Sequence, residues 1–423
     1  MRAYLARADR LAHLGAWSYL DRAGALAAAR ALEARPAAGL PLYGLPVAIK
    51  DVVAVRGLPW EAGSAVLAGQ RAREDATVVR RLRAAGAVVL GKARTHEFAI
   101  GEPVPPGPGG PGTGVHPWTP AYAPGGSSSG SAVAAAAGLC ALALGTDTGG
   151  SVRAPAAACG VVGYVPRRLG GMPAGVVPLV PSMDRLGWLA RTVADVALAE
   201  RLERPDLPPP RPRLPRRAAV LPDDWRSLCD QEVLERYEVV ERDLRAEGVE
   251  LVAVPLGSPA ELGEIWRAHA WETARAHRRR GWWPAHAAAY GPGAGAFVRA
   301  GDALPDAAYR AARRRREQWA AAVERQLAGF DVLLAPTTPF PALPASGAPN
   351  ERVFAWYAFV LPWNLSGHAA LSLPCGYAAD GVPLGLQVVA PSGREGMLLA
   401  VARGLERRYA PPVRDAAEGS APA

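Results

Sequence analysis

The sequence contains almost no lysine. Of its 48 lysines and arginines, only Lys50 and Lys92 are lysines. Arginine stays protonated at physiological pH, whereas the ammonium group of a lysine in an apolar pocket can lose its proton near neutrality. Lys50 ends the segment 45-LPVAIK-50, whose apolar run predicts a buried strand. Lys50 is therefore a candidate general base at a strand end; the alternative is a surface or ion-paired lysine.

Cysteine is scarce, and metal-binding spacing is missing. The four cysteines lie far apart without a C-x-x-C pair, and a chain of 423 residues does not need disulfides to be stable. We expect buried free thiols. The pair His96-Glu97 is not an H-E-x-x-H zinc motif, because Ile100 stands where the second histidine would be. The sequence therefore predicts no metal site and no cofactor.

Long apolar runs are also missing. No segment reaches the roughly 18 uncharged residues that a membrane helix needs. Charged side chains at residues 2, 7, 9 and 10 interrupt any apolar core of a signal peptide. We therefore expect a cytoplasmic protein without a membrane partner.

Positive charge dominates, with a net charge of +9 and a pI near 9.7, which raises nucleic acid as a partner. The arginines are mostly dispersed, however, and the cluster at 310–317 is typical of a solvated helix face. The run 276-AHRRRGWW-283 mixes basic and aromatic side chains as single-strand binders do, but it belongs to no recognisable module. We do not expect a nucleic-acid partner.

Helix and strand patterns alternate in the first hundred residues. Helical spacing at 23–35 leads into the strand that ends at Lys50, and helical spacing at 75–85 precedes a buried strand at 88–90. This alternation predicts an α/β fold, a layered sheet with helices outside it. Further helices are expected near 224–247, 261–281 and 305–328, and a strand at 331–336.

Two segments rich in glycine and serine flank an alanine-rich helix and a short strand. They are 125-GGSSSGS-131 and 146-TDTGGS-151. Flexible linkers have this composition, but a linker would not alternate with apolar segments that need burial. The first segment would stand at a helix N-terminus, which can bind an anion. The second would form a tight loop after a strand.

Glycines before a serine on a tight turn allow backbone N–H groups to converge, as an oxyanion hole requires. Ser151 is therefore a candidate nucleophile. Neither segment contains histidine and no G-x-S-x-G elbow surrounds Ser151, so Lys50 is the natural base, as in Ser–Lys variants of the catalytic triad. The oxyanion donors would be the amides of Thr148, Gly149, Gly150 and Ser151.

The segments LPVAIKD, GGSSSGS and GTDTGGSVRAPA, in this order, resemble the amidase signature family. The Gly/Ser block is highly specific for it. The resemblance implies a mixed β-sheet core covered by helices on both faces, and the hydrolysis of amides by a Ser, cis-Ser, Lys triad. It continues through residues 160–166, 182–195, 331–341, 364–376 and 382–391.

On this sequence the resemblance makes Ser151 the nucleophile, Ser127 the bridging serine after a cis peptide bond, and Lys50 the base. The implied proton relay runs from Ser151 through Ser127 to neutral Lys50, while the Ser151 alkoxide attacks the amide carbonyl. Asp147 and Arg153 would pair to brace the nucleophile loop.

Other polar residues near these positions are given structural roles. Lys92, following a strand at Gly91, would make a local hydrogen bond. Ser128, Ser129 and Ser131 would cap the helix that follows them.

The sequence also departs from the family pattern. Many relatives have Asn-Pro-Trp-Asp and then Arg before the Gly-Gly-Ser block, where this chain has His116, Thr119 and Tyr122 after a Pro/Gly tract. Ser129 replaces a common glycine, a variant that resembles allophanate hydrolases and plant-type indoleacetamide hydrolases. Ala369 replaces a common proline. Since relatives shape the site entrance with the first of these regions, the substrate is left open.

The resemblance covers most of the chain and implies a single domain over residues 1–423. We expect a catalytic core at about 40–203, a proline-rich connection at 204–217 and a more helical C-terminal portion at about 218–410. The Pro/Gly-rich stretch 103–114 is a predicted loop.

Three functions stay open. The first is a stand-alone amidase for a small uncharged amide, with the 12 tryptophans supplying an apolar pocket. The second is a glutaminase like the amidase component of a glutaminyl-tRNA amidotransferase, which works with partner subunits. The positive net charge of the chain favours this function. The altered 103–122 region and a chain shorter than such components argue against it. The third is a non-catalytic binding protein, against which the retained triad argues. The oligomeric state is left open, a homodimer included.

Overall fold

The computed structural model describes residues 1–100, 113–168, 170–412 and 414. Within these residues the chain forms an 11-stranded sheet with helices packed around it. The strands are β1 (Trp17–Leu20), β2 (Pro46–Lys50), β3 (Val88–Ala93), β4 (Leu142–Asp147), β5 (Val162–Val165), β6 (Arg185–Ala190), β7 (Arg217–Val220), β8 (Glu250–Ala253), β9 (Val332–Pro336), β10 (Ala370–Tyr377) and β11 (Pro383–Val389).

The helices alternate with strands early in the chain and form a long run between β8 and β9. They are α1 (Arg2–Arg10), α2 (Arg22–Glu33), α3 (Thr77–Ala84), α4 (Ser129–Ala136), α5 (Arg153–Cys159), α6 (Val193–Glu203), α7 (Asp223–Arg226), α8 (Gln231–Ala246), α9 (Pro259–Ala268), α10 (Ala270–Arg279), α11 (Pro292–Ala303), α12 (Asp306–Leu327), α13 (Asn350–Trp356), α14 (Leu361–Ser366) and α15 (Glu395–Tyr409).

The sheet is mixed, in the order β1-β3-β2-β4-β6-β5-β10-β11-β9-β7-β8. Strands β3, β2 and β4 are parallel neighbours, as are β9, β7 and β8. The strands between these two groups pair antiparallel. The predicted α/β fold with a mixed sheet is confirmed.

Both faces of the sheet are covered where the first parallel group lies. Successive side chains of a strand point to opposite faces. On β2, Val47 and Ile49 pack in one apolar cluster with α3, whereas Ala48 packs in a second cluster with α4. Lys50 ends β2, and Asp147 ends its parallel neighbour β4, so both side chains lie at the same edge of the sheet.

Most predicted elements are confirmed with shifted ends. The helices expected at 23–35, 75–85 and 305–328 are α2, α3 and α12, and the strand at 331–336 is β9. Strand β3 is longer than the predicted 88–90, because β1 and β2 pair with it as far as Ala93. Lys92 therefore lies within a strand rather than after one.

The C-terminal portion differs more from the prediction. Residues 224–247 form α7 and α8 because the extended backbone of Asp230 (φ −62°, ψ 150°) starts a new helix. Residues 261–281 form α9 and α10, which meet at His269. Within the described residues, this portion contains nine of the helices, α7 through α15, and also contributes β7 through β11 to the sheet.

The structure describes the predicted proline-rich connection at 204–217 but little of the predicted loop at 103–114. Residues 204–216 contain no helix or strand, and β7 begins at Arg217. The predicted loop at 103–114 lies mostly outside the described residues. The proposed domain limits remain a prediction.

Two further expectations concern thiols and membranes. All four cysteines are free; three are buried and Cys229 is partly exposed. Among the described residues, no helix combines the length and the apolar character needed to cross a membrane.

Candidate active site

Lys50 is completely buried at the end of β2, and its ammonium nitrogen is surrounded by hydroxyl groups. Nζ lies 2.7 Å from Ser127 Oγ, 2.9 Å from Ser128 Oγ and 2.8 Å from Thr146 Oγ1. The structure therefore brings Lys50 and Ser127, which are 77 residues apart in sequence, into direct contact.

The environment of Lys50 favours its neutral form. Burial lowers the pKa of Lys50 to about 7, although the carboxylates of Asp147 and Asp184 pull it in the opposite direction. A substantial fraction of this side chain is therefore unprotonated at neutral pH. An arginine at this position would stay protonated and could not accept a proton.

The hydroxyl neighbours of Lys50 determine where its lone pair can point. The Ser128 hydroxyl donates its own hydrogen to the Thr146 carbonyl oxygen at 3.1 Å, so toward Lys50 it can only accept. A neutral lysine has two N–H bonds. If these are donated to Ser128 Oγ and Thr146 Oγ1, the lone pair is left to accept a proton from Ser127.

The sequence pattern indicates a supporting role for Ser128 but gives none to Thr146. The signal for Thr146 was its place at the carboxyl end of β4, parallel to β2, beside the strand end that carries Lys50. Strand ends of parallel neighbours meet at one edge of a sheet.

The backbone around Ser127 is fixed by neighbours on both sides. The Gly126–Ser127 peptide bond is cis, as the family resemblance implied. The Tyr357 hydroxyl donates to the Gly126 carbonyl oxygen at 2.8 Å, and the backbone N–H of His96 donates to the Ser127 carbonyl oxygen at 3.2 Å.

The imidazole ring of His96 packs directly against Gly126. A Cβ at position 126 would lie 2.2 Å from the ring, so only glycine fits there. Burial, followed by the positive charge of Lys50, lowers the pKa of His96 to about 3. The ring is therefore neutral near pH 7 and adds no charge beside Lys50.

Ser151 lies on the turn between β4 and α5. The residue is 8% exposed and lines the cavity described below. The Ser128 N–H donates to the Ser151 carbonyl oxygen at 3.2 Å. This backbone bond holds the two glycine- and serine-rich segments against each other.

Asp147 and Arg153 form a buried ion pair under the Ser151 turn, with Arg153 Nη2 2.9 Å from Asp147 Oδ1. The Asp147 carboxylate also accepts hydrogen bonds from the amides of Gly150 and Val152, each at 3.0 Å. Burial alone would raise the pKa of Asp147, but the Arg153 guanidinium holds it well below its usual range. The predicted pairing of these two residues is present in the structure.

Two residues from the C-terminal portion complete this network. Arg153 Nη1 donates to Gln387 Oε1 at 2.8 Å, and Asn364 Nδ2 donates to Asp147 Oδ1 at 2.7 Å. Sequence reasoning missed both. The available signal was a glutamine inside the apolar strand β11, where a buried amide needs a polar partner.

The amides of the Ser151 turn are not equivalent. The Gly150 N–H, predicted as an oxyanion donor, points into the turn and is bonded to Asp147 Oδ1. Within the described residues, the amides of Thr148, Gly149 and Ser151 donate to no protein acceptor. These three are therefore the amides that remain available to a ligand in this conformation.

Asp184 fixes the other side of the same turn. Its carboxylate accepts a hydrogen bond from Thr148 Oγ1 at 2.6 Å and from the amides of Leu179 and Val180 at 2.9 and 3.0 Å. Burial raises the pKa of Asp184, although these hydrogen bonds oppose the change. The threonine side chain is thereby held away from the cavity.

A cavity of about 370 Å³ opens beside Ser151 and Gly149. This volume is at the lower end of the range for ligand sites. Helices α9, α11 and α13 supply much of its wall, as expected if the C-terminal portion folds over Ser151. Its aromatic lining residues are Trp266, Phe297, Phe354 and Tyr357.

The predicted helix caps are wrong in detail. Ser128 occupies the N-cap position of α4, but its hydroxyl bonds to Lys50 and Thr146 instead of capping the helix. Ser131 Oγ donates to the Leu144 carbonyl oxygen at 3.0 Å. Ser129 Oγ is buried without a hydrogen-bond partner among the described residues. The Ser128 hydroxyl therefore bonds to Lys50 and Thr146 rather than to the backbone amides at the start of α4.

Three residues that depart from the family pattern lie away from the cavity lining. His116 is buried and its Nε2 is 2.8 Å from the Ala158 carbonyl oxygen, while the Thr119 amide donates to its Nδ1 at 3.2 Å. The Tyr122 hydroxyl bonds to Asp380. Part of the Pro/Gly tract before these residues lies outside the described residues. Among all the described residues of the chain, no group of three His, Cys, Asp or Glu side chains is placed to bind a metal.

The fold and the site together define an amide-hydrolysing enzyme. The chain belongs to the Amidase family, whose sequence profile matches residues 1–399.

Curated relatives and solved structures agree with this assignment. The chain is 35% identical to one subunit of the glutamyl-tRNA(Gln) amidotransferase of Salinispora arenicola, over 94% of this chain and 90% of that protein. A crystal structure of an amidase superposes with a TM-score of 0.87 at 33% identity, covering 96% and 95% of the two chains. The peptide amidase of Stenotrophomonas maltophilia superposes with a TM-score of 0.80 at 28% identity, covering 98% and 94%.

Proposed function

We propose that this protein is an amidase that hydrolyses a small carboxylic amide to an acid and ammonia or an amine, through an acyl-enzyme on Ser151. The observation that carries the proposal is the contact between Lys50 Nζ and Ser127 Oγ at 2.7 Å, in a buried setting that lowers the pKa of Lys50 to about 7. A base with a pKa near the working pH is the most effective proton acceptor.

In the first half of the reaction Ser151 Oγ attacks the amide carbonyl carbon. Its proton passes to Ser127 Oγ, and the Ser127 proton passes to the lone pair of Lys50. The amides of Thr148, Gly149 and Ser151 stabilise the negative oxygen that develops on the carbonyl. Ser128 and Thr146 accept the remaining N–H bonds of Lys50 and so keep its lone pair directed at Ser127.

The intermediate then collapses to products. Lys50 returns its proton through Ser127 to the leaving nitrogen, and the C–N bond breaks to release ammonia or an amine. Water repeats the sequence on the ester of Ser151: it gives a proton to the relay, adds to the acyl carbon, and displaces the serine, which recovers its proton. The net change is amide plus water to acid plus amine.

The lining of the cavity supports a small substrate whose acyl group is apolar next to the scissile bond. The cavity holds about 370 Å³ and its walls include Leu179, Trp266 and Leu361. Burying apolar surface there would supply about 25 cal/mol per Å² of binding energy. The solved relatives include a peptide amidase and a 6-aminohexanoate cyclic dimer hydrolase.

A second candidate is a glutaminase that works with partner subunits. The 35% identity to a component of an amidotransferase favours it. It predicts that the purified chain releases ammonia from glutamine, and that added partner subunits increase the rate. Turnover of apolar amides by the chain alone, without activity on glutamine, would decide against it.

The proposal is tested by labelling with a serine-directed fluorophosphonate, followed by intact-mass measurement. We expect stoichiometric labelling of the wild type, none in Ser151→Ala, and much slower labelling in Lys50→Ala, Lys50→Arg and Ser127→Ala. Ser129→Ala is the matched control, since Ser129 is buried in the same segment without a partner in the described residues, and it should label like the wild type. Labelling of Lys50→Arg at the wild-type rate would contradict the neutral-lysine base.

A further inference from the structure

The cavity beside Ser151 contains one cationic side chain and no acidic one among the described residues that line it. The cation is Arg267, near the C-terminal end of α9. The rest of the lining is apolar or neutral. A ligand in this cavity therefore meets apolar side chains near Ser151 and a positive charge elsewhere on the wall.

Arg267 stands at the mouth of the cavity rather than at its base. Arg267 is exposed, whereas Ser151 is buried and Gly149 is partly buried. Its guanidinium carbon lies 5.3 Å from the centre of the Phe354 ring, which also lines the cavity. This stacking places a planar set of N–H donors over the aromatic wall, and stacked guanidinium groups keep donors free for a carboxylate.

Nothing among the described residues neutralises Arg267. Its acidic neighbour one turn earlier on the helix, Glu264, pairs with Arg315 at 3.5 Å. Nearby arginines on α10 are paired in the same way, Arg275 with Asp306 at 3.1 Å and Arg278 with Asp302. No such carboxylate lies within 4.0 Å of Arg267 in the described part of the chain, so its charge is available to a ligand.

We propose that Arg267 is a specificity-determining residue that binds an anionic group, of which a carboxylate is the simplest, at the far end of the substrate's acyl group. The substrate class is then an aryl or short alkyl amide that carries an anion at the end opposite to the scissile bond. This inference rests on the proposed amidase function, since it places the reacting amide at Ser151.

The expected effect is moderate because Arg267 is exposed. Ion pairs at a solvated rim are weak and act mainly on the association rate, and salt screens them. We therefore expect about a fivefold preference for an anionic ligand at low salt, and a smaller one at high salt.

The test uses two series of aryl-alkyl fluorophosphonates with one to three methylenes between ring and phosphorus. One series carries a para-carboxylate, the other a para-nitro group, which is planar and of similar size but neutral. The second-order labelling rates are compared in the wild type, Arg267→Gln, Arg267→Lys and Arg299→Gln. Arg299 is the matched control because it is an exposed arginine on α11 that does not line the cavity.

At its best length, the carboxylate probe should label the wild type and Arg299→Gln about fivefold faster than the nitro probe does. In Arg267→Gln the two probes should label at the same rate. Arg267→Lys should keep part of the preference. The proposal would be overturned if the carboxylate and nitro probes labelled the wild type at equal rates at every length. It would also be overturned if Arg267→Gln kept the preference for the carboxylate probe. If neither series labels Ser151 at all, the amidase function itself fails, which is a distinct result.

Discussion

The two lysines of this chain are both completely buried and lie on neighbouring strands, yet their surroundings are opposite in kind. Lys92 Nζ contacts the Asp51 carboxylate at 2.8 Å and the Pro59 carbonyl oxygen at 2.8 Å. Lys50 Nζ contacts three hydroxyl oxygens and, within the described residues, no carboxylate.

The difference shows that burial alone does not make a lysine a base. Burial lowers the pKa of both lysines, but Asp51 opposes this change at Lys92 through a direct contact. At Lys50 the nearest carboxylates, Asp147 and Asp184, act only at a distance. A hydroxyl partner can accept from an amine or give it a proton, whereas a carboxylate favours the charged form. We therefore assign proton transfer to Lys50 and a structural charge to Lys92.

The largest expected effect is on catalysis at Lys50. Replacing Lys50 by Met removes the proton acceptor, so kcat/KM should fall about 10³-fold or more. The fold should persist, because no carboxylate in contact loses its counterion. Steady-state kinetics and thermal unfolding measure the two quantities. A Lys50→Met enzyme that keeps wild-type turnover would show that another group is the base.

The reverse pattern is expected at Lys92. Lys92→Met leaves the buried Asp51 carboxylate without its partner, which should lower the free energy of unfolding by about 3–5 kcal/mol. Activity per folded molecule should change little. Denaturant unfolding measures the loss, and the double variant Lys92→Met with Asp51→Asn should recover part of it. If Lys92→Met is as stable as the wild type, the pair carries no structural charge.

A smaller effect is expected at Thr146. Valine has nearly the shape of threonine but cannot accept a hydrogen bond from Lys50, so the lone pair is no longer directed at Ser127. Thr146→Val should lower kcat/KM about tenfold, with KM nearly unchanged. Ser129→Ala, a buried serine in the neighbouring segment, is the control. An unchanged kcat in Thr146→Val would remove Thr146 from the positioning role.

Much of the site could be predicted because its central residues lie in two short segments and one strand end. Lys50 and Ser151 follow from their residue types and local patterns, Ser127 follows from the family resemblance, and the structure places Lys50 against Ser127. Thr146 was missed because its role depends on the register of β4 beside β2, which local patterns do not specify. The caps assigned to Ser128 failed for a related reason, since the Lys50 site lies 78 residues away in sequence.

The parts that could not be predicted depend on contacts between distant segments. Asn364 and Gln387 reach Arg153 and Asp147 only because the C-terminal strands join the same sheet as β4. Which amides of the turn are free to bind a ligand depends on the direction of each peptide, and the Gly150 amide donates to Asp147. Glycine and serine content predicts a tight turn but does not give the direction of its N–H groups.

The scarcity of lysine makes the central claim directly measurable. Protein grown with ¹³C-labelled lysine should give two side-chain Cε signals, one for Lys50 and one for Lys92, assigned with Lys50→Arg. Since a lysine is charged below its pKa and neutral above it, the Lys50 signal should move from its charged to its neutral position as the pH rises through about 7. A Lys50 signal that stays at the charged position up to pH about 9 would contradict the account.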